Sequence, residues 1–144
     1  MVDPDPSMAE LKHSETTGAI IKSFYKVYNT LGFGFLEKVY ENALVVEMQV
    51  SGLHVEQQKP ITVYYREQIV GEYFADLIVN DCVIVELKTA ESIARSHEAQ
   101  LVNYLRATQF EVGLLLNFGQ SAEYKRKIFE NGASDSMSVL FEQR

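Results

Sequence analysis

The sequence predicts an α+β or α/β domain with a mainly antiparallel sheet. Three observations carry this reading. Two segments of helical period open the chain, a middle stretch is rich in β-branched and aromatic residues, and a third helical segment leads into the continuous apolar run "VGLLLNF". A chain of 144 residues suits one domain with a single core. The boundaries expected are a loose lead-in over 1–13 with Asp-Pro twice, the domain over 14–130, and a small, polar tail over 131–144 in which "SVLF" could pair as an edge strand.

From Ser14, "SETTGAIIKSFYKVYNTLG" places Ile20, Ile21, Phe24, Val27, Tyr28 and Leu31 at helical spacing. After Gly32 and Gly34, "FLEKVYENALVVEMQVSG" repeats Leu36, Val39, Tyr40, Ala43, Leu44 and Met48 every three or four residues, with Gly52 as a stop. The period then changes. "LHVEQQK" is a short candidate strand before Pro60, "ITVYYR" a second, and "EQ" turns the chain into "IVGEYFADLIV". "NDC" turns it again into "VIVELK". "ESIARSHEAQLVNYLRAT" reads as a helix with Ala94, Leu101, Val102 and Leu105 on its apolar side. "VGLLLNF" has the composition of a strand covered on both faces, and "SAEYKRKIFE" reads as a short closing helix.

Hydrophobic residues make up 47% and charged residues 23%, as in an ordinary globular protein. No apolar run reaches the roughly 18 residues of a membrane span, and the first residues lack the pattern of a signal peptide. Cys82 is the only cysteine, so no internal disulfide forms; a cytoplasmic location is the expectation. The net charge of −7 argues against gripping nucleic acid by bulk charge, while leaving room for a local basic patch or a bound cation.

The segment "YFADLIVNDCVIVELKTA" sets Asp76, Glu86 and Lys88 inside an apolar strand pair. If "ND" were a two-residue loop, Ala75 would pair with Glu86. If "NDC" is a three-residue loop, Val79 pairs with Val83 and Asp76 lies opposite Glu86. The second register sorts Tyr73, Ala75, Leu77, Val79, Val83, Val85 and Leu87 onto an apolar face, and Asp76, Glu86 and Lys88 onto the other, so it is preferred. Two adjacent carboxylates repel, and one tends to hold a proton. A divalent cation relieves that conflict, and carboxylate oxygens suit magnesium or manganese. Lys88, two residues past Glu86, can approach a phosphate oxygen. The same residues, taken alone, also fit a salt bridge at a solvated sheet edge.

Glu37 and Tyr40 are three apart on one helix face, and Glu37 could point at the same metal. Gln100 and Tyr104 are four apart, with His97 a turn earlier; Gln100 could hydrogen-bond a phosphate. Each also has a plain structural reading: a solvated glutamate or glutamine, core tyrosines, a helix-capping histidine. The spacing excludes a zinc finger, a Gly-rich phosphate loop and a G-x-S-x-G elbow.

"GFLEKVY" is G-x-x-E-x-x-Y, with Gly34, Glu37 and Tyr40; "AD" at 75–76 precedes "ELK" at 86–88; "HEAQLVNYL" holds Q-x-x-x-Y. In this order the motifs resemble the GxxExxY protein family of the PD-(D/E)xK nuclease superfamily, over roughly residues 15 to 129. The resemblance implies a restriction-endonuclease-like core, a central mixed sheet flanked by helices. It implies that Asp76, Glu86, the Leu87 carbonyl and Glu37 hold Mg²⁺ or Mn²⁺, and that Lys88 positions the attacking water. It further implies that Gln100 and Tyr104 line the site and orient substrate, and His97 and Tyr40 are taken with them as candidate substrate-binding residues. Ala75 stands where the superfamily writes proline.

The expected function is metal-dependent hydrolysis of phosphodiester bonds in DNA, ahead of RNA. The partners expected are nucleic acid and a homodimer or larger nucleic-acid-processing complex. The competing reading is a non-catalytic or regulatory interaction module on a nuclease fold, in which Asp76 and Glu86 would be dispensable.

Overall fold

The structure is a computed structural model that describes residues 13–130. The expected lead-in, His13 apart, and the tail with "SVLF" lie outside the described residues.

Two helices come first. In α1 (Ser14–Leu31), Ile20, Phe24 and Val27 recur at helical spacing and are buried in one stripe. In α2 (Glu37–Val50), Tyr40, Leu44 and Met48 do the same, four residues apart. Gly52 ends α2 as its position suggests: at φ 87° its N–H reaches the Gln49 carbonyl, and the Leu53 N–H reaches Met48. This is the paired bonding of a Schellman cap.

Five strands form one sheet in the order β1 (Val55–Tyr65), β2 (Gln68–Val79), β3 (Val83–Lys88), β4 (Val112–Phe118) and β5 (Ala122–Ile128). β3 and β4 run parallel, joined by the crossover helix α3 (Arg95–Arg106), and the other pairs are antiparallel. The sheet is therefore mixed, as expected of a restriction-endonuclease-like core. On one face Ile20, Phe24, Tyr40 and Leu44 pack against Leu77, Val85, Leu87 and Leu114. On the other, Leu101, Tyr104 and Leu105 of α3 pack against Ile78, Ile84 and Leu115. Every residue of β4 is buried, because helices cover both of its faces.

Four expectations need correction. "LHVEQQK" and "ITVYYR" form one continuous strand through Pro60; β1 is an edge strand, where a missing amide N–H is tolerated. The turn into β2 is Arg66–Glu67, one residue earlier than "EQ", with both residues left-handed at φ 50° and 66°. "SAEYKRKIFE" is not a helix but β5, paired in register from Val112–Ile128 to Phe118–Ala122. A fully buried β4 leaves its outer amides and carbonyls to be satisfied, and this pairing overrides the helical look of the charged run. α3 begins at Arg95, so Ala94 is its N-cap residue rather than part of its apolar stripe.

The expected single apolar face of β2 also divides. Leu77 and Val79 join the cluster under α1 and α2, whereas Tyr73 and Ala75 join the α3 side. The change of face falls at Asp76. Opposite it, Gln58 is left-handed at φ 53°, while Gln57–Leu77 and Lys59–Ala75 keep one register on either side. The hairpin thus kinks at the level of the candidate acids.

Candidate active site

The three-residue loop is the one formed: Val79 pairs with Val83, Ile78 with Ile84 and Leu77 with Val85. Both Asn80 and Asp81 are left-handed, at φ 51° and 53°, and the Cys82 N–H closes the turn on the Val79 carbonyl. One step further along this register stand Asp76 and Glu86. There the backbone ladder stops and side chains replace it. Asp76 N–H donates to Glu86 Oε2 at 2.9 Å, and Leu87 N–H donates to Asp76 Oδ2 at 2.8 Å. Each carboxylate spends one oxygen holding the opposite strand; the other oxygen of Asp76, Oδ1, meets Gln58 Nε2 at 3.3 Å.

Glu86 is 6% exposed. Burial, and then the neighbouring Asp76, push its carboxyl up to about 8. Burial also raises Asp76, with the Leu87 amide acting against the rise. Glu37, the first residue of α2, is raised by burial and then by Asp76. The Lys88 ammonium favours the charged form of all three. Asp76, Glu86, Glu37 and Lys88 are thus brought within electrostatic reach of one another, from β2, β3 and α2.

The G-x-x-E-x-x-Y motif explains how Glu37 is mounted. Gly34 sits at φ 111°, where a side chain would be strained. Tyr40 is fully buried and stacks on Phe118 at 4.2 Å between ring centres. Its hydroxyl donates to the Gly32 carbonyl at 2.6 Å and accepts the Phe35 N–H at 3.2 Å. Tyr40 therefore clamps the loop that delivers Glu37, and its ring is fully buried. Tyr40→Phe keeps the ring stack and orphans two backbone groups. We expect it to lower the unfolding free energy by about 1–3 kcal/mol, read from urea midpoints. An unchanged midpoint would mean that the hydroxyl clamps nothing.

His97 has a capping role. Its Nδ1 accepts the Ala94 N–H at 3.0 Å, which commits it to the start of α3. Among the described contacts nothing links it to the acids. Tyr104 does face them: it packs on Tyr73 at 4.2 Å, and burial followed by Glu86 raises its hydroxyl. The same two causes push Tyr73 up to about 12. Gln100 lies one turn before Tyr104 on α3 and is exposed.

Three neighbours were missed from sequence. Glu41 is buried and accepts from Lys38 at 3.0 Å, from Gln57 at 2.8 Å and from Gln58 at 3.1 Å. Gln58 Nε2 also reaches Asp76 Oδ1 at 3.3 Å, bridging the two acids. Glu41 lies four residues after Glu37, on the same helix face, and that spacing could have found it. The glutamines were hidden because their place opposite Asp76 depends on the β1–β2 register.

The paired carboxylates of Asp76 and Glu86 are hard oxygen donors suited to a divalent cation, and such a cation would lower their raised pKa values. Among the described residues, the group of three that brings its ligand atoms closest together lies elsewhere and does not include Asp76, Glu86 or Glu37. The ligand atoms of His54, Glu56 and Asp81 all fall within 4.8 Å of one another, near the β2–β3 turn, and could also hold an ion. Glu56 there already pairs with Lys59 at 3.2 Å.

A family model described as the PD-(D/E)XK nuclease superfamily matches residues 14–128. The chain belongs to that superfamily. Nucleases of that superfamily use divalent metals. Among solved structures, this nuclease-superfamily domain is similar to the crystal structure of SSO0001, with a TM-score of 0.54 and 18% identity over 88% of this chain. The match spans 63% of that chain, and at this identity it speaks for the fold alone. No curated protein matches. Among the described residues no helix is long and apolar enough to cross a membrane.

Proposed function

We propose that this domain is a metal-dependent nuclease of the GxxExxY type that hydrolyses phosphodiester bonds, in DNA ahead of RNA, in the cytoplasm. The observation that carries the reading is the reciprocal clamp at Asp76 and Glu86. It fixes two carboxylates side by side, next to Glu37 and Lys88, and leaves Glu86 with a proton that it would surrender to a cation. Asp76, Glu86 and the Leu87 carbonyl would hold Mg²⁺ or Mn²⁺, with Glu37 completing the acidic set. A bound divalent cation polarises a phosphate oxygen and lowers the pKa of water. Lys88 orients the attacking water. Water oxygen bonds to phosphorus in line with the departing ester oxygen, whose bond breaks. Tyr104 and Gln100 line the approach from α3. The net charge of −7 leaves little bulk attraction for nucleic acid, which favours a homodimer or a partner complex supplying further binding area.

The test is a titration of Mn²⁺ and Mg²⁺ by calorimetry into wild type and the Asp76→Ala/Glu86→Ala double variant, paired with cleavage of labelled DNA and RNA. Binding and cleavage that vanish together in the double variant support the enzyme. Folded wild type that neither binds metal nor cuts would leave the interaction-module reading in its place.

A further inference from the structure

We propose that the cleft between the 32–36 loop and the 89–91 segment seats an unpaired nucleobase of the substrate, with Phe33 as its main stacking surface and Phe35 beside it. The proposal deepens the nuclease reading, on which it rests, by naming single-stranded or locally unpaired nucleic acid as the substrate class.

The loop between α1 and α2 is unusual in what it exposes. Phe33 is 56% and Phe35 47% exposed, and neither joins the core clusters. Two phenylalanines facing solvent add little to stability, whereas an aromatic face held in water is what a base stacks upon. The two rings border a cleft of about 280 Å³ that is also lined by Thr89, Ala90, Glu91 and Phe118.

Side chains pin the backbone at several points around that cleft. Tyr40 holds the aromatic loop through Gly32 and Phe35. Asn117, fully buried, bonds both the N–H and the carbonyl of Ala90 at 2.9 Å. The Tyr28 hydroxyl is shared between the carbonyls of Gly119 and Gln120, each at 2.7 Å. Gly119 itself has no room for a side chain, since a Cβ there would run into the Ala90 carbonyl oxygen. A seat held this firmly loses little freedom when it is filled.

Continuity with the acid–lysine centre selects the occupant. One wall runs from Phe35 through Leu36 into Glu37, and the other starts at Thr89, the residue after Lys88. The cleft is thus walled by the segments that directly precede Glu37 and directly follow Lys88. For a nuclease the group seated there is the base neighbouring the scissile phosphate. Bases inside a duplex have both faces covered by their neighbours, so a stacking seat takes a base that is unpaired or flipped out.

The experiment measures affinity without cleavage. Fluorescence anisotropy of labelled single-stranded DNA and of a blunt duplex of matching sequence, both in Ca²⁺, is recorded with the full chain and with Phe33→Ala, Phe35→Ala and Phe33→Trp. Phe35 also packs edge-on to Tyr40, so Phe33→Ala is the decisive variant. We expect single strand to bind tighter than duplex, Phe33→Ala to weaken it by about 5- to 150-fold, and Phe33→Trp to restore it. Wild type that binds no single strand, or binds duplex equally well, overturns the proposal; so does a folded Phe33→Ala of unchanged affinity, which would point to a protein contact instead. Cleavage by Phe33→Ala at full single-strand affinity would remove the base seat alone. Phe33-dependent binding without cleavage in any divalent metal would remove the nuclease reading and leave the seat standing.

Discussion

Asp76→Asn is expected to reduce metal-dependent cleavage by about three orders of magnitude while leaving the fold intact. The loss has the scale of removing one strong electrostatic group from a water-poor centre. It is separable from stability because the two Asp76 oxygens do different work. Oδ2 accepts the Leu87 N–H at 2.8 Å, and an asparagine carbonyl oxygen can take over that bond. What asparagine cannot supply is the negative charge beside Glu86 and Glu37. Asp76→Ala should lose the charge and the bond together, adding about 1–3 kcal/mol of destabilisation from the orphaned amide. Single-turnover cleavage and urea melts of the two variants resolve these effects. Equal cleavage by wild type and Asp76→Asn would exclude Asp76 as a metal ligand. Equal stability of Asp76→Asn and Asp76→Ala would mean that the clamp on Leu87 contributes nothing.

The clamp also shows how far such a site is legible in sequence. The loop "NDC" and the wish to keep acids off an apolar face were enough to choose the register that the structure adopts, because a one-residue slip changes every facing. The helical spacing of Ile20, Phe24, Val27, Tyr40 and Leu44 likewise carried directly into the core. Sequence pattern could not reach features set by tertiary pairing. β5 looks helical until the buried β4 demands a partner, and the kink at Gln58 moves Tyr73 and Ala75 to the α3 side against strict alternation. The same kink brings Gln58 to Asp76 and Glu41, so the missed neighbours and the broken alternation share one cause. Motif residues also divide by role in a way spacing cannot show. Glu37 reaches the acids, whereas Tyr40, on the same face three residues on, is spent on holding the loop beneath it.

Glu86 ties the site to stability, and the sign of that link is opposite to the usual carboxylate. Its carboxyl stands near 4.5 in an unfolded chain and is pushed up to about 8 by burial and by Asp76. Between those values the folded state binds more proton than the unfolded state, so metal-free stability falls as pH rises. The contribution is full below the unfolded value and is lost as pH climbs through the folded one. At about 1.4 kcal/mol per pKa unit, the loss amounts to several kcal/mol. Asp76 and Glu37, also raised, act in the same direction. Urea midpoints of metal-free protein should therefore drop between about pH 5 and pH 8.5, and more steeply in wild type than in Glu86→Gln, which carries no proton to lose. Identical slopes would show that Glu86 ionises normally. A divalent ion should reverse the trend, because it binds the deprotonated carboxylates and stabilises the fold in proportion to that binding. The proton must then leave as the ion enters. Mn²⁺ titrations near pH 7 in buffers of different ionisation enthalpy should report release of about one proton per ion in wild type and markedly less in Glu86→Gln. Binding with no proton release would place the ion away from Glu86, at a group such as His54, Glu56 and Asp81.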